Sequence, residues 1–433
     1  MRRAVLGRSV LGVVAVLLAA GVTWAWQPSI APIRPPAAGV FTAEQVEQGA
    51  VLASAGNCAG CHSVVQDQDW GGGLGLETGF GLAYSTNISP DPDTGIGTWS
   101  EQAFARALRE GVARDGSHLF PAFPYTHYAK LTDDDVRALY AFFMSRDPVV
   151  APARKNSVGF PFNVRILQAG WKLLYFQRGA YRDDAARSRE WNRGAYLAEG
   201  ITHCAGCHTP RNRLGAELAH APYAGAPFDG WLAPPLNADN PSALPWTQAD
   251  LYDYLRTGES ERHGAAAGAM AGVVHAGLSR LPGDDVRALA LYFADGNGSA
   301  ARASGDAAAM DLAMSRRLVD VGRETQPGAN LYLAACASCH YSAAPKPGQV
   351  RGSLALSTAL TSDDPSNFIQ TVQHGLGGAG APGPYMPGFG TALTDADVAL
   401  LATYLRATRS DRPAWTNLPA RIAALRTPDA SPP

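Results

Sequence analysis

Cys58-Ala59-Gly60-Cys61-His62 decides how this chain is read, because the pattern returns twice. It recurs as Cys204-Ala205-Gly206-Cys207-His208 and as Cys336-Ala337-Ser338-Cys339-His340. All six cysteines of the 433-residue sequence lie in these three copies. C-x-x-C-H is the attachment signal for c-type haem: two thiols bond the porphyrin vinyl groups, and the adjacent imidazole is held against the iron. A structural zinc site would need four N/S ligands, usually from paired motifs, and three copies do not pair. A thioredoxin-like C-x-x-C would need a βαβ setting, and disulfides would leave every adjacent histidine unexplained. The motifs therefore predict three covalently bound haem c groups, with Cys58, Cys61, Cys204, Cys207, Cys336 and Cys339 as attachment points and His62, His208 and His340 as proximal iron ligands.

The motifs start 146 and 132 residues apart, which gives each a domain's worth of chain. Before each lies a short helical segment containing glycine: 46–55, 192–201 and 328–335. Well after each, a helix opens on acidic residues: Thr132-Asp133-Asp134-Asp135, Pro282-Gly283-Asp284-Asp285 and Thr394-Asp395-Ala396-Asp397. Thr or Asp caps free N–H groups there, and the carboxylates complement the helix dipole. Apolar residues then recur at i, i+3 and i+4, marking one inward face. This order of elements resembles the class I cytochrome c fold. The expected architecture is mainly α, with three tandem class I cytochrome c domains after an N-terminal membrane anchor. The expected boundaries are 1–40 for signal or anchor and Pro-rich spacer, 41–155 for domain 1, 156–190 for a connector, 191–298 for domain 2, 299–325 for a linker, 326–412 for domain 3 and 413–433 for a C-terminal tail.

Arg2, Arg3 and Arg8 precede an uncharged run over 9–26 that ends in Trp24 and Trp26. Eighteen residues span about 27 Å as a helix, close to a bilayer's hydrocarbon core, and tryptophan suits the membrane–water interface. The run reads as an uncleaved anchor in preference to a cleaved signal. In both cases the positive flank stays cytoplasmic and the rest is exported, to the periplasmic side of the bacterial inner membrane. The proline-rich stretch 28–36 spaces the body from the membrane. Net charge is −2, with no electrostatic footprint for nucleic acid.

Haems that only transfer electrons commonly take a second axial ligand such as methionine. A middle helix ends in glycine in each repeat (104–111, 251–258, 368–375). Met270 lies 12 residues after Gly258 and Met386 lies 11 after Gly375, which assigns them as ligands of haems 2 and 3. In domain 1 the same register holds Phe123, which cannot coordinate iron. His127 is the first choice there, with His118, Met144 and an open site as alternatives. Asn87 and Asn237 either donate to haem propionates or form turns. Gly71 to Gly75 read as a haem-edge loop. There is no dinucleotide-binding or P-loop glycine pattern, no hydrolase elbow and no metal-ligand helix.

Over about 42–412 the chain resembles the three-haem cytochrome c subunits of periplasmic, membrane-bound dehydrogenases. The resemblance rests on residues 84–97, from Tyr84-Ser85-Thr86-Asn87 to Gly97, on 194–211, and on 254–270. Relatives that serve quinoprotein alcohol dehydrogenases have methionine where Phe123 stands. The stretch Pro121-Ala122-Phe123-Pro124-Tyr125-Thr126-His127 and the connector 160–176 look like the branch serving molybdenum hydroxylases acting on aldehydes, isoquinoline or nicotinate. The resemblance implies an electron-transfer subunit with a dehydrogenase catalytic subunit as donor. Its acceptor is a quinone, a terminal oxidase or a soluble cytochrome. The alternatives are a subunit of a quinoprotein alcohol or flavin sugar-acid dehydrogenase, and a multihaem peroxidase-like enzyme using an open haem 1.

Overall fold

The computed structural model describes residues 21–37, 39–66, 68–299, 307, 310–311, 315, 325–340, 353–377 and 385–426. The apolar run up to residue 20, most of the expected linker 299–325 and the last residues of the tail lie outside them. The chain forms two compact units. The first comprises Met1–Arg182, Glu199–His203 and Arg213–Ala216; the second comprises Asp183–Ala198, Cys204–Asn212 and Glu217–Pro433.

In the first unit, helix α1 (Ala43–Ala55) opens on a capping box in which Thr42 Oγ1 accepts from Gln45 N and Gln45 Oε1 accepts from Thr42 N. Helix α2 (Glu101–Glu110) stops at Gly111, whose φ of 61° lies in the left-handed region. Helix α3 (Asp133–Met144) is capped by Thr132. Helices α1 and α3 pack at a glycine. A Cβ on Gly49 would sit 2.0 Å from the Ala138 carbonyl oxygen and 2.6 Å from Phe142 Cβ, so no other residue fits the crossing. The connector contributes α4 (Gln168–Tyr175).

The second unit repeats this arrangement twice. Helix α5 (Arg189–Glu199), all but its last residue in this unit, meets α7 (Gly283–Gly296): a Cβ on Gly194 would lie 2.0 Å from the Ala288 oxygen and 2.9 Å from Tyr292 Cβ. Gly328, at the start of α8 (Ala329–Ala335), stands against Leu400 and Tyr404 of α10 (Asp395–Arg409) in the same way. The middle helices are α6 (Gln248–Thr257) and α9 (Ser366–His374), again ending on glycines of positive φ, Gly258 and Gly375. Thr394 caps α10, whereas α7 starts at Pro282 with no side-chain cap, so only two of the three acidic helix starts use a hydroxyl. Within the expected C-terminal tail, α11 (Leu418–Arg426) buries Leu418 and Ile422 in one cluster with Phe368, Ile369, Val372 and Leu401.

The backbone oxygen facing Gly194 cannot move aside as a side chain would. Gly194→Leu is therefore expected to destabilise the second unit by about 3 kcal/mol or more, read by denaturant unfolding, whereas a substitution at solvent-exposed Gly296 is expected to cost far less.

Candidate haem-attachment sites

The first motif forms a helical turn, Cys58–His62, entered through Asn57 in the left-handed region (φ 47°), a conformation asparagine tolerates. His62 is desolvated, which lowers its pKa and keeps the ring neutral. Its Nδ1 lies 2.6 Å from the Thr86 carbonyl oxygen. A carbonyl only accepts, so Nδ1 carries the proton and Nε2 keeps its lone pair for a metal. The surrounding loops brace this turn: Gly72 N donates to the His62 carbonyl at 2.8 Å, and Ser85 Oγ donates to the Cys61 carbonyl at 2.6 Å. Gly72 and Gly73 take φ of 77° and 103° as they lead into the hairpin β1 (Gly75–Thr78) and β2 (Gly81–Tyr84). The glycine cluster therefore serves the edge of this motif.

The second motif repeats the device. His208 is lowered by burial, and its Nδ1 donates to the Pro234 carbonyl at 2.7 Å. Pro234 follows the hairpin β3 (Ala226–Phe228) and β4 (Trp231–Ala233). The Trp231 indole lies 2.6 Å from where a Cβ on Gly268 would stand, two residues before Met270. One short hairpin thus bears on both the His208 side and the Met270 loop. In the third motif Tyr332 Oη donates to the His340 carbonyl at 3.3 Å. Met386 exchanges both backbone hydrogen bonds with Leu376, at 2.9 and 3.0 Å, and its carbonyl closes on Gly375. Met270 and Met386 are both half-buried.

At Cys58, Cys61 and Cys336 the surroundings favour the protonated thiol. None of the six cysteines forms a disulfide. Burial, with Cys61 as neighbour, pushes the Cys58 thiol up to about 12, and burial pushes Cys336 up to about 11. A thiolate metal site or reactive redox pair would need the opposite shift. Among the described residues no group of three or more His, Cys, Asp or Glu side chains is placed to hold a metal ion. Two neutral thiols three residues apart, followed by an oriented neutral imidazole, fit haem c.

In domain 1, Phe123 packs against Tyr128, ring centroids 5.5 Å apart. His127 lies on the helical turn Tyr125–Tyr128, buried, with Nδ1 3.0 Å from the Glu199 carbonyl oxygen. This is the same kind of contact that orients His62 and His208. His118 is committed elsewhere: Nε2 donates to the Ala25 carbonyl at 2.8 Å, and Nδ1 lies 3.0 Å from Lys172 Nζ. Met144 is buried at the end of α3. Asn87 donates to Thr94 Oγ1 and the Val149 carbonyl and accepts from Ser89 N, which commits its amide to a turn, and Asn237 Oδ1 accepts from Asp239 N. His263 stacks on Trp246 at 3.8 Å, and His275 packs under Gly258.

Sequence reasoning did not single out Thr86 and Pro234, whose carbonyls orient the histidines. A backbone carbonyl leaves no residue-type signal. The similar separations from His62 and His208, 24 and 26 residues, were the available clue.

Residues 46–147 match the family model for cytochrome c, and residues 323–405 match that for cytochrome C oxidase, cbb3-type, subunit III. Cytochrome c domains are therefore present. The chain is 37% identical over 402 residues to the gluconate 2-dehydrogenase cytochrome c subunit of Pantoea cypripedii, covering 88% of this chain and 89% of that one. It is 36% identical over 414 residues to the fructose dehydrogenase cytochrome subunit of Gluconobacter japonicus, covering 90% and 83%. The chain belongs to the family of cytochrome c subunits of dehydrogenases, which are electron-transfer proteins. It is also 45% identical over 410 residues to a subunit of the nicotinate dehydrogenase of Pseudomonas putida, matching 93% of this chain but spanning only about a third (33%) of that relative.

Proposed function

We propose that this chain carries three covalent haem c groups and relays electrons from a dehydrogenase at the periplasmic face of the membrane to a quinone, a terminal oxidase or a soluble cytochrome. The observation that carries this reading is the threefold C-x-x-C-H, with the imidazoles of His62 and His208 each oriented by a backbone carbonyl. Haem c supplies the one-electron chemistry when bound. The chain's part is to hold the proximal nitrogens in one tautomer and to present Met270 and Met386 as thioether ligands to haems 2 and 3. His127 is the proposed sixth ligand of haem 1.

Mass spectrometry of the exported protein should show three haem additions; a count of two overturns the repeat reading. Met270→Ala and Met386→Ala should each remove one haem's share of the near-infrared band that marks Met–iron ligation. Three such haems in the parent protein would contradict Phe123 as the register residue of domain 1.

The proposed donor is a molybdenum hydroxylase. Supporting this are Phe123 in place of the methionine of the alcohol dehydrogenase type and the identity to a nicotinate dehydrogenase subunit. Affinity purification of the chain from its native membrane should bring down a molybdenum-containing subunit; co-purification of a quinoprotein or flavoprotein instead would refute the assignment. Residues 9–26 are proposed as the anchor. No helix among the described residues is long and apolar enough to cross a membrane, and residues 9–20 lie outside them.

A further inference from the structure

Helix α4 is amphipathic in the wrong sense for a helix facing water. Its inward positions are Gln168, Ala169 and Lys172, all buried. Its outward positions, with the turn before it, are Leu167, Gly170, Leu173 and Leu174. Leu173 and Leu174 are 71% and 67% exposed, and a Cβ on Gly170 would meet nothing. At 100° per residue, Leu173, Gly170, Leu174 and Leu167 fall on one side of the helix and Gln168, Lys172 and Ala169 on the other, so the exposed leucines share a face. The polar inner face is satisfied: Lys172 Nζ donates to the carbonyls of Glu110 and Gly111 at 2.6 and 2.7 Å and lies against His118 Nδ1. A helix that buries its lysine and exposes its leucines is built for an apolar surrounding. Phe160, 82% exposed, adds to the same connector.

The position of this stripe points to what covers it. His118 takes Lys172 of α4 on one ring nitrogen and the Ala25 carbonyl on the other. Ala25 is where the uncharged run 9–26 joins the folded body. The chain after it is stitched down by Ile30 N to the Arg114 carbonyl (2.8 Å), Ile33 N to the Thr98 carbonyl (2.9 Å) and Arg106 to the Pro28 carbonyl (2.7 Å). Arg165, just before α4, donates to the His118 carbonyl at 3.0 Å. The point where the apolar run leaves the fold and the buried inner face of α4 therefore share one histidine. Around them stand groups typical of a membrane–water boundary: Trp24 and Trp26, both exposed, Trp171 and Tyr175, and the exposed basic residues Arg178 and Arg182.

We propose that α4 is a second membrane contact, lying in the bilayer interface with Leu167, Leu173 and Leu174 among the acyl chains. It would fix the orientation of the first unit on the membrane from which residues 9–26 emerge. The inference rests on reading 9–26 as the anchor.

The test is nitroxide labelling of the full haem-loaded chain, one site at a time, at Leu174→Cys, at Val14→Cys in the anchor, and at exposed Asp134→Cys as a water control. The protein is reconstituted into vesicles of phosphatidylcholine and phosphatidylglycerol. Collisional accessibility to oxygen is compared with that to a water-soluble nickel chelate, and the haem absorption spectrum verifies folding. The expected result is an oxygen-to-nickel ratio several-fold higher at 174 and at 14 than at 134. A lipid signal at 14 with a watery signal at 174 overturns the proposal and leaves the anchor standing. Watery signals at both sites overturn both. Shielding of 174 from both reagents only when the dehydrogenase partner is present would make the face a protein-docking surface and also overturn it.

Discussion

Replacing His127 with alanine is expected to turn one of three haems from low-spin to high-spin while both Met-ligated signals persist. In the Met270 and Met386 register domain 1 has Phe123, so that loop offers no thioether. His127 is buried on the next helical turn with Nδ1 held by the Glu199 carbonyl, which places the proton on Nδ1 and the ring's lone pair on Nε2. His118, the competing imidazole, has both nitrogens engaged, so His118→Ala is expected to leave the haem spectrum unchanged. An imidazole in place of a thioether lowers the potential, so haem 1 should titrate below haems 2 and 3, and His127→Met should raise it. If His127→Ala leaves the ferric spectrum unaltered, His127 is not the ligand. Binding of cyanide or peroxide by the parent protein would then favour the peroxidase-like reading.

Lys172→Met is expected to lower stability by about 2–4 kcal/mol, because it strands the Glu110 and Gly111 carbonyls and His118 Nδ1 in a buried site. The loss is partly offset by relief of the burial cost of the ammonium. Burial, with Arg178 nearby, pushes the lysine from 10.5 down to about 7, although the Glu110 carboxylate pulls the other way. The sign of the pH dependence follows. Below about pH 7 the folded and unfolded chains both hold the proton. Above it the folded chain releases a proton that the unfolded chain keeps until about 10.5, so parental stability gains with pH across that window. The methionine variant lacks this gain. Denaturant unfolding of both proteins at pH 6 and pH 9 reads the difference; an identical pH response would show that the acceptors hold the proton throughout.

The chemistry of this protein was legible in the sequence because its cofactor demands particular residue types at fixed spacing. Two thiols three apart and an adjacent imidazole announce haem c wherever they fold. The glycines of the first helices were legible as a repeat, but only the structure explains them: Gly49, Gly194 and Gly328 each stand where a Cβ would meet a backbone oxygen of the last helix. Other features depended on tertiary structure because they involve backbone atoms or distant partners. The carbonyls of Thr86 and Pro234 orient His62 and His208, and no residue-type pattern encodes a carbonyl's direction. His118 and His127 are nine residues apart, and the sequence ranked His127 first; their long-range partners at Ala25, Lys172 and Glu199 are visible only in the fold. The inside-out burial of α4 was hidden for the same reason. Composition marks Leu173 and Leu174 as apolar and Lys172 as charged, and only the fold decides which of them faces the protein.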